Sequence, residues 1–402
     1  MRPSEPCLLS LLVAMSLGCG AGRGVVTLGE VEFRSETGAG EPNLALASDG
    51  SVILTWHEGN REDGYALRLS ERRDGRWSSP QTIAQGLPFF VNWADFPSLV
   101  EHADGSWLVH WLQKTAESTY AYHVRISRST DRGVTWSEPV VAHRDGSPTE
   151  HGFVSMAALN GTTGVLWLDG RETPSGDEES PGPMTLRFTD VTSPLELGAD
   201  VLVDDRVCDC CQTSMVATSS GLVAAYRDRS DAEIRDIAVK RWDGSTWSDP
   251  VYPGDDGWYY PGCPVNGPDL AARGDTVAVV WYSAPEQRPL VQVAFSVDGA
   301  RTFGPPLRID DGFPLGRVAV ALVDANTAAA FWLESRDDDA AIVSRVVSST
   351  GAMGPVTDLT PTSPSRASGF PIVVRAGEEL LLAWTEAGEA GGVRVASAAI
   401  VN

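Results

Sequence analysis

The sequence predicts an all-β chain folded as a β-propeller of seven four-stranded blades. Three observations carry that expectation. Seven short apolar segments each end in an aromatic residue: 52–56 (VILTW), 107–111 (WLVHW), 164–167 (GVLW), 222–226 (LVAAY), 277–281 (VAVVW), 329–332 (AAFW) and 380–384 (LLLAW). Their aromatic ends follow one another at 55, 56, 59, 55, 51 and 52 residues, a period that fits one propeller blade per unit. Turn residues are plentiful, with 40 Gly and 26 Pro, as many short strands require.

Each unit repeats the same parts in the same order. A short strand and a Gly, Asp or Asn turn precede the apolar segment, as in 42–50 (PNLALASDG), 97–105 (PSLVEHADG) and 269–275 (DLAARGD). The apolar segment is a second strand, and its near-continuous hydrophobicity suits burial between neighbouring blades. An alternating strand follows, as in 124–129 (VRISRS) and 291–296 (VQVAFS). A last strand opens at Ser-x-Pro or Gly-Pro, as at Ser137, Glu138, Pro139 and at Gly304, Pro305. The seventh unit, 369–402, has room for only three strands. The segment at Val31, Glu32 and Phe33 is expected to supply its fourth and close the ring, which removes exposed sheet edges. Six blades is the alternative if one unit is irregular.

Ser129, Asp131, Gly133, Thr135 and Trp136 form a full Asp box, Ser-x-Asp-x-Gly-x-Thr-Trp. A weaker copy runs through Ser296, Asp298, Thr302 and Phe303, with Ala300 at the glycine position. Fragments stand at Asp74, Gly75, Trp77 and at Asp243, Gly244, Thr246, Trp247. On these motifs the chain resembles the sialidase superfamily of BNR-repeat propellers over nearly all of its mature length. The resemblance implies that the boxes are structural turns on the face away from the site. It also implies hydrolysis of a terminal anionic sugar, with a Tyr activated by a Glu as nucleophile, an Asp as acid/base and arginines on the substrate carboxylate. The family's first arginine has no counterpart here, where Glu41, Pro42 and Asn43 stand instead.

The net charge of −23 argues against nucleic acid as a partner, which needs clustered Lys and Arg. Residues 1–19 read as an export signal: Arg2, an apolar run over 7–17, then Ser16, Leu17, Gly18 and Cys19. That ending resembles a bacterial lipobox, so the expected location is the cell envelope, with a lipid on Cys19 as the only membrane contact. An ordinary cleaved signal and secretion is the alternative. Residues 20–402 are then one propeller domain.

In a propeller, the loops leading into each blade and the loops after each second strand share one face. Here they gather the candidate site. Asp95 and Glu150 suit a general acid/base pair for glycoside cleavage, and Tyr260 is the candidate nucleophile. Arg171, Arg227, Arg229 and Arg317 come from different blades and suit an anionic glycan, because guanidinium binds carboxylate or sulfate bidentately. The four cysteines of the mature chain, Cys208, Cys210, Cys211 and Cys263, fall in two adjacent lead-in loops. In an exported protein they are read as two disulfides. The alternative is a transition-metal or redox site of Cys210, Cys211, Cys263 and His151. His57 and His151 are the histidines expected on this face. Three functions stay open: a sialidase-like glycan hydrolase, a propeller that binds carbohydrate or protein without chemistry, and a metal- or redox-site protein.

Overall fold

The computed structural model describes residues 24–173 and 182–401. The signal, the lipobox-like segment and Cys19 lie outside the described residues. Seven antiparallel sheets follow one another around a ring. Blade I is Gly40–Leu46, Val52–Asn60 and Gly64–Arg73, with its outer strand in two pieces, Arg76–Trp77 and Gln81–Gln85. Blade II is Leu99–Glu101, Trp107–Lys114, Tyr122–Ser129 and Val140–Val141. Blade III is His151–Leu159, Thr162–Asp169 and Thr185–Thr192, with outer pieces Glu196–Leu197 and Val201–Asp204.

Blade IV is Ser214–Thr218, Gly221–Arg227 and Ile237–Trp242; single bridges Val239–Val251 and Trp242–Trp247 stand where its outer strand would run. Blade V is Asp269–Arg273, Thr276–Ser283, Leu290–Ser296 and Leu307–Arg308. Blade VI is Pro314–Leu322, Thr327–Arg336, Asp339–Ser348 and Thr357–Thr362. Blade VII is Ile372–Ala376, Glu379–Glu386 and Gly392–Val401, completed by Val25–Arg34 from the other end of the chain. That strand pairs antiparallel from Val25 opposite Val401 to Arg34 opposite Arg394, with register shifts between Leu28 and Val31 and between Val31 and Phe33. The ring therefore has seven blades, not six, and its closure falls at the segment the sequence pointed to.

The repeated aromatics explain the stacking of blades. Trp56, Trp111, Trp167, Tyr226, Trp281, Trp332 and Trp384 all end or nearly end a second strand, and all are buried. Apolar side chains of adjacent blades interdigitate around them: Val280 and Val293 of blade V share a cluster with Val320 and Trp332 of blade VI. Truncating one such tryptophan to Ala removes about 3–5 kcal/mol of packing. First strands of all seven blades line a central channel of about 810 Å³. Gln212 braces its mouth, donating to Ala94 O at 2.7 Å while its Oε1 accepts from Gly267 N at 3.0 Å.

The Asp boxes sit in turns between third and outer strands, away from the lead-in loops. Asp131 accepts from Thr135 N at 2.8 Å and Thr135 Oγ1 at 2.6 Å, and Ser129 Oγ accepts from Gly133 N at 2.8 Å. Gly133 has φ 84° and its α-carbon faces the Leu69 side chain, so a larger residue would meet both strain and a clash. The second box repeats these bonds from Asp298 to Thr302, with Ala300 held at φ 63°.

Candidate functional site

Blades II and III bring two carboxyl groups together. Asp95 lies in the loop leading into blade II and is 4% exposed. Its Oδ2 accepts from Phe153 N at 2.7 Å. Phe153 holds φ 53° as it presents that N–H, and Arg317, at φ 56° in blade VI, presents its own to Asn266 Oδ1. Next to Phe153, Gly152 presents a bare α-carbon; a Cβ there would overlap Asp95 Oδ2 and approach Tyr122 Oη to 3.3 Å. Tyr122 Oη in turn donates to Glu150 Oε1 at 2.6 Å. Asp95 and Tyr122 thus flank one glycine, and Glu150 joins them through Tyr122.

Their protonation is tuned by the same burial. Burial pushes the Asp95 carboxyl up to about 7, and the charge of Glu150 adds to it against the opposing Phe153 N–H. Burial likewise lifts Glu150 to about 7, opposed by the Tyr122 hydrogen bond and assisted by the charge of Asp209. Tyr122 is fully buried, stacked on Phe90 with centroids 3.9 Å apart. Burial and the two carboxylates hold its phenol well above the ordinary range. Two carboxyls poised near neutrality are suited to giving and taking protons at physiological pH.

Near Glu150 a line of alternating charge runs along the entry to blade IV. Asp209 pairs with Arg229 Nη1 at 3.1 Å, Arg229 with Glu233 at 2.8 Å, and Glu233 with Arg235 at 2.9 Å. Arg235 Nε donates to Tyr260 O at 2.8 Å. Tyr260 therefore stands at the other end of this line, 39% exposed; the hydroxyl that meets Glu150 belongs to Tyr122. The cysteines pair as Cys208–Cys211 and Cys210–Cys263, with Cα–Cα distances of 5.7 and 6.0 Å. The second bond ties the lead-in loops of blades IV and V. With these thiols paired, Cys210, Cys211 and Cys263 are not available as metal ligands.

The four predicted arginines do not converge on one open pocket. Arg227 is fully buried under Trp258 and donates to three backbone carbonyls, Asn266 O, Arg235 O and Tyr282 O. Arg317 lies over Trp93 and donates to Ser365 O, Ser368 Oγ and Gly369 O. Arg171 is held by Asp169 and Asp200 at 2.7 and 2.8 Å. Arg229, partly exposed, is held between Asp209 and Glu233. Arg366, exposed in the loop leading into blade VII with its guanidinium 5.9 Å from the Trp93 ring centroid, makes no ion pair among the described residues. It is a free cation that sequence reasoning passed over.

His151 faces away from the cysteines. It stacks on His143 with centroids 3.5 Å apart, His123 stands edge-on to both, and Asp145 and Asp169 flank the group. The expectation that His57 and His151 are the histidines of this face is corrected: His57 is buried near Glu41 and Phe89, and His143 joins His151. Three of the chain's six histidines fall within 123–151. That local enrichment was the available signal. Nothing of comparable kind marked Tyr122, which opens a third strand and reads as core.

The model of the BNR repeat-like domain family matches residues 50–316. None of the curated proteins matches the sequence. Among solved structures, a polysaccharide lyase (PL25 ulvan lyase) bound to -[GlcA(1-4)Rha3S]- superposes with TM-score 0.58 at 9% identity, covering 91% of this chain and 94% of its own. The polysaccharide lyase Uly1 gives 0.54 at 11%, covering 92% and 91%. A protein of unknown function from Dyadobacter fermentans DSM 18053 gives 0.50 at 14%, covering 94% and 98%. At these identities the likeness is one of fold.

Proposed function

We propose that this chain, which belongs to the BNR repeat-like domain family, is an exported glycan-cleaving enzyme that uses Asp95 and Glu150 as its proton-transfer pair on an anionic sugar. The clustering of Asp95 and Tyr122 at Gly152, with Glu150 joined through Tyr122, carries the reading. Both carboxyls are buried and lifted to about 7, each ionised form being destabilised by its surroundings. The protonated carboxyl donates to the departing glycosidic oxygen. The ionised one takes the proton of the attacking water. Tyr122 fixes Glu150 through its 2.6 Å hydrogen bond. The free Arg366 supplies positive charge for a carboxylate or sulfate on the sugar.

The same pair also serves β-elimination at a uronate, in which a base removes the C5 proton and an acid protonates the leaving oxygen. The fold shared with two polysaccharide lyases makes this the second reading. The products separate the two: hydrolysis yields only new reducing ends, whereas elimination also yields an unsaturated sugar that absorbs in the ultraviolet. The test is a panel of sialylated, uronate-containing and sulfated glycans, read by reducing ends and ultraviolet absorbance. The wild type is expected to cleave at least one. Asp95→Asn and Glu150→Gln are expected to lose about 100-fold or more in kcat while remaining folded. Full activity in both variants, or binding without cleavage across the panel, rejects the reading in favour of a binding propeller.

A further inference from the structure

We propose that this face receives an internal stretch of a glycan polymer, with Tyr120 on one side of the acid pair and Tyr259 and Tyr260 on the other stacking against the sugars that flank the cleaved bond; this rests on the glycan-cleaving function proposed above. The fold sorts its exposed apolar side chains by face. Among the described residues five aromatic side chains stand out into solvent: Tyr120, Tyr252, Tyr259, Tyr260 and Phe313. All five lie in lead-in loops or in a loop after a second strand, on the face that holds Asp95 and Glu150. The exposed large aliphatic residues, Leu46, Val134, Leu202, Val297 and Val401, lie in Asp boxes, on an outer strand or at strand ends away from that face. Single exposed apolar residues are ordinary, but their separation by type and by face is not.

Tyr120 is 60% exposed and adjoins the acid pair. Its ring centroid lies 6.4 Å from that of Phe90, Phe90 stacks on Tyr122 at 3.9 Å, and Tyr122 Oη donates to Glu150. On the other side, the charge line from Asp209 through Arg229 to Glu233 leads to the loop of Tyr259 and Tyr260. Tyr259 is 63% exposed, yet its backbone is pinned. It bridges Ile234, Tyr260 N donates to Glu233 O at 3.0 Å, and Tyr260 O accepts from Arg235 Nε at 2.8 Å. The Cys210–Cys263 bond fixes the same loop just beyond. Tyrosine rings on a fixed backbone bind with little loss of conformational entropy. A pyranose offers a face of C–H groups to such a ring and keeps hydroxyls at its rim, so it suits tyrosines separated by carboxylates and a guanidinium. A protein partner fits less well. The core of a protein interface is depleted in charge, whereas Asp209, Arg229 and Glu233 stand between these aromatic residues. Platforms on both sides of the acid pair have a use only if the glycan continues past the cleaved bond in both directions.

The test is binding, read apart from cleavage. The mature chain is run through native gels carrying chondroitin sulfate, alginate or polysialic acid, and the polymer that retards it most is chosen. Size-defined oligomers of that polymer are then titrated by calorimetry into the wild type and, to keep the ligand intact, into Asp95→Asn. At least one polymer is expected to retard the chain, and its hexasaccharide to bind at least about tenfold more tightly than its disaccharide. Tyr120→Ala and Tyr259→Ala should each shrink that ratio at least about fivefold without moving Tm, since both side chains are exposed. Val134→Ala, an exposed apolar residue of the opposite face, should keep it. No retardation by any polymer, equal affinity for the two oligomers, or a wild-type ratio in both tyrosine variants overturns the proposal. A chain that shows the ratio but cleaves nothing keeps the platforms and rejects the enzymatic function; one that cleaves small terminal glycosides yet binds no polymer does the reverse.

Discussion

Replacing Asp95 by Asn should make the protein more stable at alkaline pH and less active. Burial lifts the folded-state carboxyl from 3.8 to about 7. A raised folded-state pKa means that the native chain holds its proton more tightly than the unfolded chain. Stability contributed by this group is fully present below about pH 4 and is lost as pH rises through about 7. The difference of about three pKa units corresponds to about 4 kcal/mol at 1.36 kcal/mol per unit. The amide cannot ionise, so it escapes this cost, and its oxygen can still accept from Phe153 N. The new NH₂ is left without an evident acceptor, which offsets about 1–2 kcal/mol. The net expectation is a gain of about 2–3 kcal/mol at pH 8 that shrinks on acidification and becomes a loss of about 1–2 kcal/mol toward pH 4. Urea unfolding of both proteins at four pH values between 4.5 and 8 measures it, with the m-value checked for constancy. A stability difference that does not change with pH would refute the argument, because then Asp95 is not the group whose ionisation opposes folding.

Other residues give sharper contrasts between scaffold and site. Gly152→Ala should cost activity disproportionately, at least tenfold in kcat, since its methyl displaces Asp95 or Tyr122; unchanged kinetics would mean that their spacing around this α-carbon is irrelevant. Arg227→Met should lower stability by at least about 3 kcal/mol, because three buried carbonyls lose their donor, and should leave KM for any cleaved glycan unchanged; a raised KM at unchanged Tm would return Arg227 to the substrate. Arg366→Ala should do the reverse, raising KM for anionic glycans without moving Tm. Cys210→Ser opens the 53-residue separation closed by Cys210–Cys263 and should cost about 2–4 kcal/mol, and thiol titration of the unreduced mature wild type should find no free cysteine.

The blade count and ring closure were legible because they rest on local, repeated burial. A second strand sandwiched between two blades must be apolar along its whole length, so each blade leaves the same mark, seven times over. Asp boxes were legible for the same reason: their bonds join residues two to four apart. The candidate site was legible only where it lies in the lead-in loops, which named Asp95 and Glu150. Tyr122 was not, because its neighbours along strand Tyr122–Ser129 bury the same way and its hydroxyl acquires meaning only from Glu150, 28 residues on. The arginines misled for a physical reason. Guanidinium has five donors that must all be satisfied when buried, and the loop carbonyls of a propeller face are numerous; Arg227 and Arg317 are taken up by them.

The seam between blades II and III gathers several buried polar groups at one place. Here Asp95, Tyr122, His143, His151 and Asp169 are all under 5% exposed, and each is a group that water would otherwise stabilise. Folding pays about 1–3 kcal/mol for every such group left imperfectly partnered, so a purely structural seam would be more stable with apolar side chains. The Gly152–Phe153 bulge itself recurs as Gly316–Arg317, where Arg317 N donates to Asn266 Oδ1 at 2.7 Å. What sets blade III apart is that the acceptor is a carboxyl, Asp95, which burial raises to about 7. A buried carboxyl held this way, beside Tyr122 and Glu150, is the fixed and partly desolvated geometry that the proposed proton transfer requires.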